Sequence, residues 1–139
     1  MAVLGILAAM LLPLSELSVQ RERERELKRA LWQIRDAIDA YHQAAMKGVI
    51  PLDGPATGYP PDLQTLVTGV KDAKSGGMVY FLRQLPRDPF ADPDLTADRT
   101  WAVRSYQSPP EQPSPGDDVF DVSSRSTLVG LNGVPLKEW

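Results

Sequence analysis

The feature that most constrains this chain is an abrupt change of character at residue 15. Residues Ala2 to Leu14 (AVLGILAAMLLPL) carry no charge and no strongly polar side chain. From Ser15 to Met46 there is neither glycine nor proline, and the centre of that stretch, Gln20 to Arg29 (QRERERELKR), is almost wholly charged. A helix as long as Ala2–Leu14 measures about 20 Å at ~1.5 Å per residue, short of the ~30 Å hydrocarbon core of a bilayer. Three readings fit such a segment: a buried core helix, the apolar region of a secretory signal peptide, or the inner part of a membrane helix whose beginning precedes Met1. A core helix is normally amphipathic, whereas this run is apolar on all sides. A signal peptide has basic residues before its apolar region and a small-x-small site after it, and neither stands here before Ser15. The membrane-helix reading is favoured because helix-compatible sequence continues without a break. Pro13 is expected to kink or loosen that helix rather than end it, since membrane helices tolerate proline.

The charged shaft predicts pairs at helical spacing: Glu24–Lys28 at i,i+4, and Glu22–Arg25 and Glu26–Arg29 at i,i+3. Each is worth only a few tenths of a kcal/mol. Beyond it the pattern turns amphipathic. Leu27, Ala30, Leu31, Ile34, Ala37, Ile38, Tyr41 and Ala45 recur every three or four residues. Leu27, Leu31, Ile34, Ile38 and Tyr41 are therefore expected to pack the helix onto a small head. Trp32 and His42 fall off the centre of the stripe, and a partly exposed helical histidine is the ordinary reading of His42. Gly48 is a plausible stop, with Pro51 beyond it.

The thirteen prolines lie mostly after residue 50 and are nearly twice the usual ~5% usage. Residues 49–59 read as loop. Leu63, Leu66, Val67 and Val70 have the spacing of a short amphipathic helix behind Pro60-Pro61-Asp62. Residues 71–77 read as a turn and Met78 to Leu82 as a short apolar run. Leu85-Pro86-Arg87-Asp88-Pro89-Phe90 reads as a rigid turn, with Leu85, Pro86, Asp88, Pro89 and Phe90 structural. Thr100–Tyr106 and Val119–Ser124 are strand candidates. Residues 128–139 supply a last short strand or an irregular segment, with Trp139 as an anchor. The predicted class is α+β: a long N-terminal helix packed on a small antiparallel sheet, with a Pro-rich loop region. Residues 1–14 form an apolar membrane or filament-core segment, 15–47 its amphipathic continuation, and 48–139 the head.

Composition removes several chemistries. With no cysteine there are no disulfides, thiolate metal sites or Cys nucleophiles, and with His42 alone there is no multi-His zinc site. A net charge of −3 gives no reason to expect a nucleic-acid partner. No GxSxG, P-loop, GxGxxG or EF-hand loop occurs, and nothing in the sequence indicates an enzyme. Asp88, Asp92, Asp94, Asp98, Asp117, Asp118 and Asp121 read as solvated loop carboxylates. Oxygen-rich loops also bind Ca²⁺, and Asp117, Asp118, Asp121 and Asn132 are weak candidate ligands if the fold brings them together. No other metal and no cofactor is expected.

Taken in order, these motifs resemble a known family. The run Ala2-Val3-Leu4-Gly5-Ile6-Leu7-Ala8-Ala9 through Leu12-Pro13-Leu14 looks like the inner part of a type IV pilin-like N-terminal helix. Tyr41, Gly58-Tyr59-Pro60 followed by Leu63 and Leu66, the Leu85–Phe90 turn, and Asn132-Gly133 before Trp139 resemble the major pseudopilin of type II secretion systems. The resemblance implies a pilin-like fold. It places Val3, Leu4, Ile6, Leu7, Leu11, Leu12 and Leu14 in the membrane or filament core, and the prepilin cleavage site and assembly glutamate before Met1. It implies a single-pass subunit of the bacterial inner membrane with its head in the periplasm. Its partners would be further copies, related pseudopilins and the assembly platform of the machine. It also implies a late calcium loop, but Asn132 stands in place of the family's aspartate and Val134-Pro135 near the place of its paired aspartates, so the ligand pattern is incomplete. The alternatives are a minor pilin-like subunit of another filament system, for adhesion or DNA uptake, and a periplasmic ligand- or calcium-binding module with a signal peptide.

Overall fold

The structure, a computed structural model, describes residues 13–139. The expected membrane or filament-core positions Val3, Leu4, Ile6, Leu7, Leu11 and Leu12 lie outside the described residues. A long helix, α1 (Leu14–Met46), spans 33 of them. It starts after Pro13, whose φ of −53° and ψ of 130° are not helical. The Pro13 carbonyl accepts the first helical bonds, from Glu16 N–H at 2.9 Å and Leu17 N–H at 3.2 Å. Pro13 is thus the cap of α1, a place where its missing N–H costs nothing, and the helix expected on the other side of a kink at Pro13 lies outside the described residues. At the far end Gly48, at φ +72°, adopts the left-handed conformation that closes the helix. There Val49 N–H returns to the Ala44 carbonyl at 2.9 Å.

The stripe of α1 is buried from Leu27 to Ala45, and Leu27, Leu31, Ile34, Ile38 and Tyr41 all lie in the core. Their cover comes from Ile50, Leu63, Leu66, Leu85, Trp101, Val119, Val122 and Leu136. A short helix, α2 (Gln64–Thr68), packs on α1. Its start is held by Asp62, whose Oδ1 accepts from Thr65 N–H and Thr65 Oγ1, both at 2.8 Å. The apolar spacing predicts this helix running on to Val70, but Gly69 at φ +83° ends it and Val70 turns into a strand.

Two antiparallel ladders form where one small sheet is expected. The first pairs β1 (Val70–Lys71) with β2 (Met78–Val79). Its turn is organised by Asp72, whose Oδ1 accepts from Lys74 N–H at 2.7 Å and Ser75 N–H at 3.1 Å. The second pairs β3 (Trp101–Arg104) with β4 (Asp121–Ser124), Trp101 opposite Ser124 and Arg104 opposite Asp121. The strand β4 lies against α1. The last segment is a bridge between Val129 and Pro135 followed by a 3₁₀ turn, Leu136–Glu138. No helix among the described residues is long and apolar enough to cross a membrane.

Candidate functional site

Side chains that are not spent on the core form three internal clasps and one outward face. The first clasp is the Leu85–Phe90 turn. Asp88, expected to be solvated, is 1% exposed. Its Oδ1 accepts from Phe90 N–H at 2.9 Å, and its Oδ2 accepts from Ser124 Oγ of β4 at 2.5 Å. Its own N–H donates to Thr100 Oγ1 at 3.1 Å, and Thr100 Oγ1 donates to the Ala97 carbonyl at 2.6 Å. Trp101 Nε1 donates to the Pro86 carbonyl at 2.8 Å. Leu85 fills the core, while Pro89 and Phe90 are half-buried. Two prolines fix the backbone of this turn, the Asp88 carboxylate ties it to β4, and the Trp101 indole ties it to β3.

The second clasp joins α1 to the end of the described chain. Arg35 donates from Nε to Asp121 Oδ1 at 2.8 Å, and its guanidinium also donates to the main-chain oxygens of Val122 at 3.1 Å and Trp139 at 2.8 Å. About three turns of α1 nearer its start, Glu24 is buried and accepts from Leu131 N–H at 2.6 Å. The expected Glu24–Lys28 pair does not form, because the buried Glu24 carboxylate is taken up by the Leu131 amide. Lys28 instead sets its ammonium 4.9 Å above the Trp139 ring. Gly130 lies beneath that ring: a Cβ there would stand 2.6 Å from Trp139 Cζ2 and 3.0 Å from Glu24 Oε1. Asn132 Oδ1 accepts from Val134 N–H at 3.0 Å and so stiffens its own turn.

The third clasp is aromatic. His42 stacks on Tyr59 at 4.1 Å between ring centres, and Tyr59 meets Phe120 edge-on at 5.1 Å. Burial pushes the Tyr59 phenol above its ordinary pKa, with the charge of Asp39 adding to the effect. Asp118 lies beneath this group and is 4% exposed, a second correction to the solvated reading. Its Oδ1 accepts from Tyr106 N–H at 2.9 Å, and its Oδ2 accepts from Thr57 Oγ1.

The four weak calcium candidates do not form one site. Asp118 serves Thr57 and Tyr106, Asp121 serves Arg35, Asn132 serves the last turn, and Asp117 is exposed. Among the described residues no group of three or more His, Cys, Asp or Glu side chains is placed to hold a metal ion.

The outward face is the side of α1 away from the stripe. Glu22 pairs with Arg25 at 3.6 Å and with Arg29 at 3.3 Å. Trp32 is 71% exposed. No residue from Leu14 to Arg23 is buried, so about ten residues, ~15 Å of helix, precede the first buried position at Glu24. Leu14, the one expected filament-core residue within the described chain, is exposed. Sequence reading missed Glu24, Arg35 and Asp88 as ties. Only Asp88 carried a local signal, since an aspartate before Pro-Phe in a turn can bond the backbone two residues on. The chain matches no protein-family model, and neither a curated protein nor a solved structure matches it.

Proposed function

We propose that this protein is a non-enzymatic structural subunit of a type II secretion pseudopilus, with the pilin-like architecture its motifs resemble. It is anchored in the bacterial inner membrane by its N-terminal segment, carries its head in the periplasm, and polymerises with further copies and related pseudopilins on an assembly platform. The observation that carries this reading is that the start of α1 has no buried residue. A helix packed into a head from Glu24 onward continues unburied back to Leu14 and joins the apolar run Ala2–Leu14.

The logic of such a part is mechanical. A fully buried Leu or Ile is worth ~1.5–3 kcal/mol against water, so the run needs lipid or other copies of itself around it. Exchanging lipid for neighbouring helices changes little in free energy, so an external motor can drive the transfer. Contacts that run head to tail without closing give an open filament. Pro13 is then the joint between tip and rod, and the Asp88 and Arg35 clasps keep the head rigid while the rod is pulled.

The test is deletion of the gene, followed by an assay for folded periplasmic enzymes in the medium. Export is expected to stop and to return with the full chain. Unimpaired export overturns the reading.

A further inference from the structure

Among the described residues twelve large apolar side chains are exposed, and six of them gather at one end of the molecule: Leu14 and Val19 on α1, and Leu128, Val129, Leu131 and Val134 on the turn beside it. That turn is tied down by its backbone. Gly130 N–H bonds the Val134 carbonyl at 2.8 Å, Leu136 N–H bonds the Leu128 carbonyl at 3.0 Å, and Leu131 N–H is fixed to Glu24 of α1. A groove of about 330 Å³ runs between the turn and the start of α1, lined by Leu128 together with Ser15, Glu16 and Val19. Leu128 is thus level with the first turns of α1, and Val19 stands five residues, ~7.5 Å, from Leu14. The headgroup layers bring a bilayer with a ~30 Å hydrocarbon core to ~40–45 Å, which is about 5–8 Å on each side. An apolar run that ends with Leu14 at the edge of the hydrocarbon therefore sets Leu128 at headgroup height.

We propose that in the anchored subunit, before it enters a filament, this turn rests on the bilayer and sets Leu128, Val129, Leu131 and Val134 among the lipid headgroups and the first acyl carbons. The place where the apolar run joins the head selects the occupant. Within ~8 Å of the end of an embedded run the space is filled by headgroups, so lipid is what these side chains meet first. Interfacial segments seat their apolar side chains at this depth. Pro13 caps α1 at a non-helical ψ of 130°, so the direction of α1 is set at that residue and the turn can lie toward the membrane. The anchor keeps the turn at the surface, so an individually weak contact forms at high effective concentration. This inference rests on the membrane-anchored reading and specifies how the head lies before assembly.

Because the sequence contains no cysteine, a thiol-specific fluorophore reports on one chosen position. Leu7→Cys, Leu128→Cys and Met78→Cys full chains are labelled and reconstituted in vesicles of phosphatidylethanolamine and phosphatidylglycerol, with the quencher carried either on the lipid or as iodide in the water. Val129→Cys repeats the measurement at a second exposed site of the turn. Met78 marks the other end of the molecule. It pairs with Lys71 in the ladder whose turn bonds the Val49 carbonyl through Ala73 N–H, and α1 from Leu14 to Met46 is ~48 Å long. The lipid-borne quencher is expected to remove most of the emission from Leu7→Cys and Leu128→Cys and little from Met78→Cys, with iodide giving the reverse order. Adding Leu131→Asp/Val134→Asp to the Leu128→Cys chain should abolish most of its quenching by lipid. Leu128→Cys open to iodide while Leu7→Cys is shielded overturns the contact and leaves the anchor standing. Leu7→Cys open to iodide overturns both. Shielding of Leu128→Cys that vanishes on dilution below one chain per vesicle signals a second copy in place of lipid and overturns the proposal, as does quenching unchanged by the two aspartates.

Discussion

The two ends of α1 are built from the same backbone and held by different forces. From Glu24 to Ala45 the helix is set by burial: its stripe lies against Trp101, Val122 and Leu136, and Arg35 and Glu24 fasten its flank to distant main chain. From Leu14 to Arg23 nothing is buried, and the helix rests on residues with good intrinsic propensity and on pairs such as Glu22–Arg29. Helical periodicity alone therefore does not say how firmly a segment is held. Two stretches of one helix can differ by several kcal/mol in what a single side chain contributes.

The largest expected effect separates the ends directly. Ile34 is fully buried, and Ile34→Ala is expected to cost ~2–5 kcal/mol in denaturant unfolding, while Val19→Ala, at a position 51% exposed, should stay within ~0.5 kcal/mol. Equal costs would break the comparison. Next comes Asp88→Ala, which leaves the Phe90 N–H and the Ser124 hydroxyl without their acceptor and is expected to cost ~1–3 kcal/mol. A surface-like value would mean that the turn is not a clasp. Tyr41 gives a pH handle on the packed end. Burial, aided by the charges of Asp62 and Asp53, raises its phenol above the ordinary value. The folded pKa exceeds the unfolded value of ~10, so the neutral phenol's contribution is complete below that pH and is lost as pH rises through the folded value. Stability measured from about pH 9 upward should fall in the native chain and fall less in Tyr41→Phe. The smallest effect is Arg29→Ala, which removes the exposed pair with Glu22 and should cost ~0.2–0.5 kcal/mol, less still at high salt.

The α+β class was legible because long-range order here follows local periodicity. Leu27 to Ala45 repeats at helical spacing, and residues 101–104 and 121–124 sit inside stretches whose alternation marks strands. What escaped depends on partners far along the chain. Asp88 in a Pro-rich turn looks solvated until Ser124 is brought to it. Glu24 has an obvious neighbour in Lys28, yet its Oε1 answers to Leu131 N–H, because a buried carboxylate left unpaired costs more than an exposed ion pair gains. Division of the strands into two ladders, with Val70 in the first, turned on the left-handed backbone at Gly69.

The Arg35 guanidinium reaches Asp121, Val122 and Trp139, so α1 is fastened to main chain and a side chain made 86 to 104 residues later. On a ribosome the stripe of α1 emerges long before the segments that cover it. A nascent chain therefore carries part of that greasy strip uncovered until Val119, Val122 and Leu136 have been made.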